Sequence, residues 1–141
     1  MRYLLDTNTC SYVINQRKGF ESVTRRMDGL RYGELVLSSI VLAELQFMVE
    51  KSAVPQGKRQ QLLRFLLQFH VAPFDEPATV AYGLVRRQLE RRGSPIGPLD
   101  TLIAAHALSL KATVVTNNVK HFSQVPGLAV ETWYADSRAG K

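Results

Sequence analysis

Short apolar segments rich in strand-forming residues alternate along this sequence with longer segments that have helical periodicity. The periodicity is clear where apolar residues recur at spacings of three and four: Phe20, Val23, Met27 and Leu30. Strands are predicted at 2–5, 35–37, 70–74, 112–116 and 129–133. This alternation favours an α/β fold with a central, mainly parallel sheet flanked by helices. In such a fold the ligand site lies at the carboxyl ends of the strands.

Two predicted helices bear on the site. The first covers about residues 10–15, with Thr7 or Asn8 as its N-terminal cap. A longer helix begins at Asp75, and its apolar side chains are predicted to share one face: Val80, Leu84, Val85 and Leu89. The arginines of this helix are then expected on the opposite face, toward solvent.

Length and composition indicate one domain over residues 1–141, with a polar tail from about residue 134. A chain of 141 residues that is 45% hydrophobic can build a single core of ordinary size. The one cysteine excludes an internal disulfide, and one cysteine with three scattered histidines makes no zinc motif. No signal peptide or long apolar run is evident, so we expect a soluble, cytoplasmic protein without membrane contact.

The net charge of +6 indicates an anionic partner, for which nucleic acid is the commonest choice. Arg87 and Arg91 stand four residues apart, share a helix face and could follow an RNA backbone. A solvated helix face is the alternative for such a charge cluster.

Three acidic residues stand in unusually apolar surroundings: Asp6, Glu44 and Asp100. Each also has a structural alternative. Asp6 could be a helix cap, Asp100 could face the dipole of its helix, and Glu44 could lie on an exposed polar stripe. A buried carboxylate is costly unless a cation compensates it, and Mg²⁺ or Mn²⁺ prefers such oxygen ligands. The recurrence predicts one shared metal pocket.

Four sequence blocks occur in order: Leu5–Asn8, Ser38–Leu45, Ile96–Ala107 and Val114–Phe122. Together they resemble the signature blocks of the PIN domain, in particular the VapC toxins of bacterial toxin–antitoxin pairs. The resemblance spans about residues 1–133. It implies a PIN-like fold and a metal-dependent endoribonuclease in which Asp6, Glu44 and Asp100 bind Mg²⁺, with Mn²⁺ as the alternative.

The fourth block carries no acid after its strand, where many PIN domains have one. Asn118 most nearly occupies that position, with Asn117 second, and the hydroxyl of Thr116 would hold the metal shell or a phosphate. His121 follows at a place where relatives often carry an acid. An amide oxygen is a weaker partner for a metal than a carboxylate, so a second ion is less well supported.

The resemblance also implies partners and a reaction. Similar toxins cut structured RNA, tRNA among it, form homodimers and are inhibited by a VapB antitoxin. The C-terminal segment of that antitoxin lies across the acidic pocket and often offers an arginine. With metal-activated water as nucleophile, the expected products carry a 5′-phosphate and a 3′-hydroxyl.

Three alternatives remain open. A nuclease of RNA or DNA processing would need further acids and helices to thread a strand. A phosphorylated receiver-like domain would need paired acids after its first strand, where Asp6 stands alone. A non-catalytic nucleic-acid-binding module would tolerate loss of the acids.

Overall fold

A computed structural model describes residues 1–134, so the predicted tail lies almost wholly outside the described residues. Within this range the strands are β1 Tyr3–Leu5, β2 Leu35–Ser38, β3 His70–Ala72, β4 Thr113–Val115 and β5 Val130–Glu131. The helices are α1 Thr7–Ile14, α2 Glu21–Asp28, α3 Ser39–Glu50, α4 Pro55–Leu66, α5 Glu76–Arg92, α6 Pro98–Leu110 and α7 Val119–Phe122. None of the helices in residues 1–134 is long and apolar enough to cross a membrane.

The strands form one five-stranded sheet in the order β3-β2-β1-β4-β5, and every neighbouring pair is parallel. This confirms the α/β prediction. From β1 the chain builds outward through β2 and β3, then crosses back to add β4 and β5 on the other side of β1. The strand order therefore reverses between β1 and β4, which is where ligands bind in open parallel sheets.

The central strands of the sheet are buried along their whole length, although Ser38 and Thr113 are polar, which indicates that both faces of the sheet are covered. All four residues of β2 and all three of β4 are buried. Leu4 and Leu5 of β1 are fully buried beside them. A strand with a helix layer on each face has no polar side, which explains why these segments are continuous apolar runs.

Helix α5 differs from the sequence prediction in the face that it buries. Val85 and Leu89 are in the core, as predicted, but Val80 and Leu84 are 70% and 62% exposed. Consecutive residues of a helix are about 100° apart around its axis. The buried stripe centred on Val85 therefore turns Leu84, and with it Val80, away from the core.

Helix α1 begins earlier than predicted. It starts at Thr7, and its cap is Asp6 rather than Thr7 or Asn8: the Asp6 side chain accepts a hydrogen bond from the Thr9 backbone N–H. The apolar pattern used to predict this helix begins only at Cys10, because its first turn is built from polar residues that face the strand end. The short helix α7 was not predicted.

The segment between α5 and α6 sets the position of α6. Gly97 precedes this helix with a φ of +94°, a left-handed conformation that side chains rarely adopt. Pro98 then occupies the first helical turn, where its missing N–H costs nothing. Asp100 is thereby carried into the first turn of α6, close to the carboxyl ends of β1 and β4.

Candidate metal centre

An open cavity of about 260 Å³ lies at the carboxyl end of β1. It is lined by Asp6, Thr7, Asn8, Glu44, Ile96, Gly97, Pro98, Leu99 and Asp100. All three acids singled out in the sequence therefore border one cavity, although they come from the β1–α1 junction, the middle of α3 and the start of α6.

Asp6 is only 4% exposed, and both of its carboxylate oxygens are hydrogen bonded. Oδ1 accepts from the Thr9 backbone N–H at 2.9 Å, and Oδ2 accepts from the Thr116 hydroxyl at 2.6 Å. The Asp6 carboxylate therefore caps α1 and also lines the cavity. The two interpretations of Asp6 from the sequence, helix cap and site residue, are compatible. Thr116 lies at the end of β4, and its oxygen accepts in turn from the Asn118 backbone N–H at 2.9 Å.

Glu44 reaches the cavity from one turn into α3. Its Oε1 accepts a hydrogen bond from the Thr7 hydroxyl at 2.5 Å, which joins α3 to the turn that follows Asp6. The side chain is half-buried, whereas Gln46 two residues later is exposed. Glu44 therefore does not belong to an exposed polar stripe.

Asp100 is half-buried and is held from the opposite side. Its Oδ2 lies 3.1 Å from Nε2 of His121. Burial raises the pKa of the Asp100 carboxyl above its ordinary value, His121 opposes this, and the nearby Asp6 and Glu44 carboxylates raise it further. The three acids are close enough to repel one another, and a cation among them would relieve that repulsion.

The donor set fits a hard divalent cation that keeps part of its water. The cavity lining supplies carboxylate oxygens and includes no lysine or arginine. Within residues 1–134 the structure shows no group of three or more histidine, cysteine, aspartate or glutamate side chains placed so that they could hold a metal ion, so an ion in this cavity would need water between it and part of the lining. Mg²⁺ and Mn²⁺ suit such an arrangement, because Mg²⁺ is usually held by one or two carboxylates and several waters.

Asn118 is placed differently from the acids. It caps the start of α7 and is exposed, and it lines a neighbouring cleft of about 350 Å³ rather than the acidic cavity. That cleft is lined by Ser94, Pro95, Ile96, Asn118, Lys120, His121 and Gln124. Asn117 is also exposed. A catalytic role for Asn118 or Thr116 stays a prediction, and the contact that the structure adds is the Thr116 bond to Asp6.

The predicted RNA contacts, Arg87 and Arg91, are exposed on α5 and line none of the cavities described above. Arg86 is nearer, since it lines a further cavity of about 330 Å³ that shares Gly97 and Pro98 with the acidic one. Its guanidinium binds Glu90 at 3.2 Å and the Tyr82 hydroxyl at 3.1 Å. The spacing of four residues to Glu90 was a signal for this pair in the sequence.

An apolar groove of about 610 Å³ adjoins the acidic cavity, and sequence reasoning missed it. The two share Thr7, Asn8, Glu44 and Leu99. The rest of the groove is lined by Ser11, Ile40, Ala43, Leu45, Phe47, Met48, Lys51 and Leu102. Phe47 is 65% exposed, which is unusual for a phenylalanine on a helix that also faces the core.

A parallel sheet that carries an acidic cavity at its β1–β4 switch point is the arrangement that the four sequence blocks implied. The sequence matches the PIN domain family over residues 3–128, and the chain belongs to that family. The receiver-like alternative is therefore excluded.

Comparison with relatives identifies the group to which the chain belongs within this family. The chain is 41% identical over 134 residues to the ribonuclease VapC2 of Rickettsia felis, covering 94% of this chain and 98% of the relative. It is 36% identical over 133 residues to a tRNA(fMet)-specific endonuclease VapC of Salmonella typhimurium, with the same coverage. At these levels of identity and coverage the chain is a member of the VapC ribonucleases.

Solved structures agree with this assignment. VapBC2 from Rickettsia felis, bound to a DNA fragment from its promoter, contains a chain with a TM-score of 0.85 and 39% identity, covering 94% of this chain and 99% of that one. DNA-bound VapBC from Salmonella typhimurium gives a TM-score of 0.87 and 36% identity, covering 94% and 98%.

Proposed function

We propose that this VapC ribonuclease is the toxin of a toxin–antitoxin pair and cleaves RNA with Mg²⁺ or Mn²⁺ bound by Asp6, Glu44 and Asp100. The observation that carries the proposal is the meeting of these carboxylates at one cavity from three separate elements. If these acids had only structural roles such as capping helices, nothing would require them to border the same cavity. Membership of the family indicates the class of reaction, and the cavity indicates where the metal ion would bind.

The residues of the cavity have different roles in the proposed reaction. When bound, a divalent ion makes hydroxide available near neutral pH and offsets the charge that builds on the phosphate during attack. Asp6 is fixed in advance by Thr9 and Thr116, so it can hold a ligand position without reorganising. Glu44 is oriented by Thr7, and Asp100 borders the opposite side. The expected products carry a 5′-phosphate and a 3′-hydroxyl.

The proposed substrate is structured RNA, and tRNA is the first class to test. One relative is named as a tRNA(fMet)-specific endonuclease at 36% identity, and the net charge of +6 favours a polyanion. Arg87 and Arg91 remain the proposed contacts to the RNA backbone. We place the activity in the cytoplasm, where this substrate is found and where a lone cysteine stays reduced.

The proposed inhibitor is a VapB-type antitoxin whose C-terminal segment lies in the apolar groove. The groove opens directly onto Glu44, so a segment seated there can present an arginine to the carboxylates. Phe47→Asp should weaken binding of a cognate VapB-type antitoxin. Val54→Asp is the control, because Val54 is equally exposed but does not line the groove.

Pairing of two copies stays a proposal. The apolar residues of α4 and the turn after it could form such a surface, but Leu62 and Phe69 are buried in the core, whereas Leu63 is 57% exposed. We therefore expect a dimer surface to use Leu63 together with Leu67, which is also exposed one turn later on the chain. Light scattering of L63E/L67E against the parent chain tests this, and an unchanged dimer mass would exclude that surface.

The central experiment incubates the purified chain with total RNA and Mg²⁺ or Mn²⁺. EDTA, Asp6→Asn and Asp100→Asn should each abolish cleavage, whereas Glu50→Gln should not. Glu50 is a matched control because it lies on α3 like Glu44 but is exposed and paired with Arg59. Sequencing the new 5′ ends identifies the RNA and the bond. Unchanged cleavage in EDTA or in both aspartate variants would show that the metal mechanism is wrong.

A further inference from the structure

His121 lies on α7 between the acidic cavity and the neighbouring cleft, and the mechanism above gives it no role. Its Nε2 is 2.5 Å from the backbone oxygen of Ile96 and 3.1 Å from Oδ2 of Asp100. Neither a carbonyl nor a carboxylate oxygen donates a hydrogen bond. The Nε2 atom must therefore carry a hydrogen, which the Ile96 oxygen accepts, and Oδ2 of Asp100 lies within ion-pair distance of the same atom.

This hydrogen defines what His121 can do. A protonated Nε2 has no lone pair to offer, so this atom is not a metal ligand while it holds Ile96 and Asp100. The ring is itself held in place, since it meets the ring of the buried Phe122 edge to face at a centroid distance of 5.9 Å. His121 is therefore an anchored donor between the core and the segment that carries Asp100.

The segment that His121 contacts is also fixed by the buried Ile96 side chain and by the Gly97 carbonyl, which accepts from the backbone N–H and the hydroxyl of Thr101. Between Gly93 and Gly97 the backbone turns through left-handed conformations at both ends. Within residues 1–134, no other side chain hydrogen bonds to the Asp100 carboxylate or to the Ile96 carbonyl. His121 Nε2 donates to the Ile96 carbonyl and lies 3.1 Å from Oδ2 of Asp100. By contrast, Asp6 has a backbone partner and a side-chain partner of its own.

We propose that His121 is a positioning residue for the ribonuclease reaction: its Nε2–H fixes the Ile96 carbonyl and Asp100 Oδ2 together, leaving the other Asp100 oxygen for the divalent cation. The proposal rests on the metal-dependent function proposed above. Loss of such a supporting contact typically costs about 10- to 100-fold in metal affinity or activity. We expect that loss in metal affinity and kcat, with little change in KM for RNA.

Three variants separate positioning from packing. His121→Phe keeps an aromatic ring against Phe122 but has no donor. His121→Gln places an amide N–H at nearly the reach of Nε2, and His121→Asn is the same amide one methylene shorter. The binding of Mn²⁺ to metal-free protein is measured by calorimetry, together with kcat and KM for RNA and the melting temperature.

Phe and Asn variants should each bind Mn²⁺ about 10-fold or more weakly than the parent chain, and the Gln variant should recover most of the affinity. The proposal is overturned if His121→Phe binds Mn²⁺ like the parent, or if Gln is no better than Asn. If His121→Phe fails to fold by circular dichroism, the comparison of Gln with Asn decides alone. A parent chain that neither binds Mn²⁺ nor cleaves RNA instead overturns the proposed function itself.

Discussion

The two sides of the acidic cavity are built in different ways. On the sheet side, Asp6 follows β1, is buried, and is bonded to Thr9 and to Thr116 at the end of β4. On the loop side, Asp100 follows a segment with two left-handed glycines, is half-exposed, and is bonded to His121. On the sheet side the carboxylate itself is fixed by two hydrogen bonds, whereas on the loop side the backbone is fixed by Ile96 and Thr101 and the carboxylate is contacted by His121.

This difference predicts which substitutions change the stability of the fold and which change metal binding. Changes on the sheet side should affect folding and catalysis together, because the same hydrogen bonds serve the helix cap, the strand ends and the site. Side-chain changes on the loop side that leave its backbone conformation intact should alter metal binding with small effects on folding. A single acid-lined cavity thus contains a preorganised half and an adjustable half.

The largest effect is expected for Asp6→Asn. Asparagine still accepts from the Thr9 N–H through its amide oxygen and so caps the helix, but its NH₂ group cannot accept from the Thr116 hydroxyl, so the melting temperature should fall as well. The loss of a charged ligand should remove several kcal/mol of transition-state stabilisation, or roughly 1,000-fold in cleavage rate. The rate of RNA cleavage at saturating Mn²⁺ checks this, with Glu50→Gln as the control. A loss below tenfold would contradict the role of Asp6 as a ligand.

The next largest effect is expected for Thr116→Val, which removes the hydroxyl that donates a hydrogen bond to Oδ2 of Asp6. A buried acceptor left without its donor typically costs about 1–3 kcal/mol, so both stability and cleavage should fall. Urea unfolding and the cleavage assay test the two effects on one sample. Thr116→Ser keeps the hydroxyl and should stay close to the parent chain. If Val and Ser behave alike, the hydrogen bond does not fix Asp6.

A smaller effect is expected on the loop side, from Gly97→Ala. A left-handed residue with a Cβ costs about 1–2 kcal/mol. Gly33 provides a matched control, since its φ is +97° against +94° for Gly97, and an added Cβ meets nothing within 4 Å at either position. Both variants should lose similar stability, but only Gly97→Ala should weaken Mn²⁺ binding. If Gly97→Ala and Gly33→Ala bound Mn²⁺ with equal affinity, the loop side of the cavity would not control metal binding.

The smallest effect concerns the charge of Asp100. Its pKa is raised in the folded protein, chiefly by burial, so the metal-free chain gains stability as the pH falls through that pKa. Asp100→Asn should remove this pH dependence and stabilise the metal-free protein at neutral pH by about 0.5 kcal/mol. Urea unfolding at several pH values in EDTA measures it. A destabilised variant at neutral pH would mean that the acids do not repel one another.

Much of this arrangement was accessible from the sequence. The strands could be predicted because each is a short apolar run, and the acids stood out because they interrupt such runs. The order of the strands then brings Asp6 and Thr116 together, since β1 and β4 are neighbours with the same direction. Family resemblance supplied the reaction, which periodicity alone could not.

Other features depend on three-dimensional geometry that no local pattern carries. Val80 and Leu84 satisfy a helical spacing but lie about 140° and about 100° from Val85 around the helix axis, so only packing decides which face is covered. The apolar groove draws on residues from α1, α3 and α6, which are distant in sequence. His121 could not be linked to Asp100 because the contact spans 21 residues and the short helix α7 gives no periodic signal.

The central proposal is that Asp6, Glu44 and Asp100 bind the same divalent ion. Calorimetric titration of Mn²⁺ into metal-free protein tests it most directly, with Glu44→Gln compared with Glu50→Gln on the same helix. The parent chain and Glu50→Gln should bind alike, and Asp6→Asn, Glu44→Gln and Asp100→Asn should each bind at least about 10-fold more weakly. Parent-like Mn²⁺ binding by all three cavity variants would contradict the account.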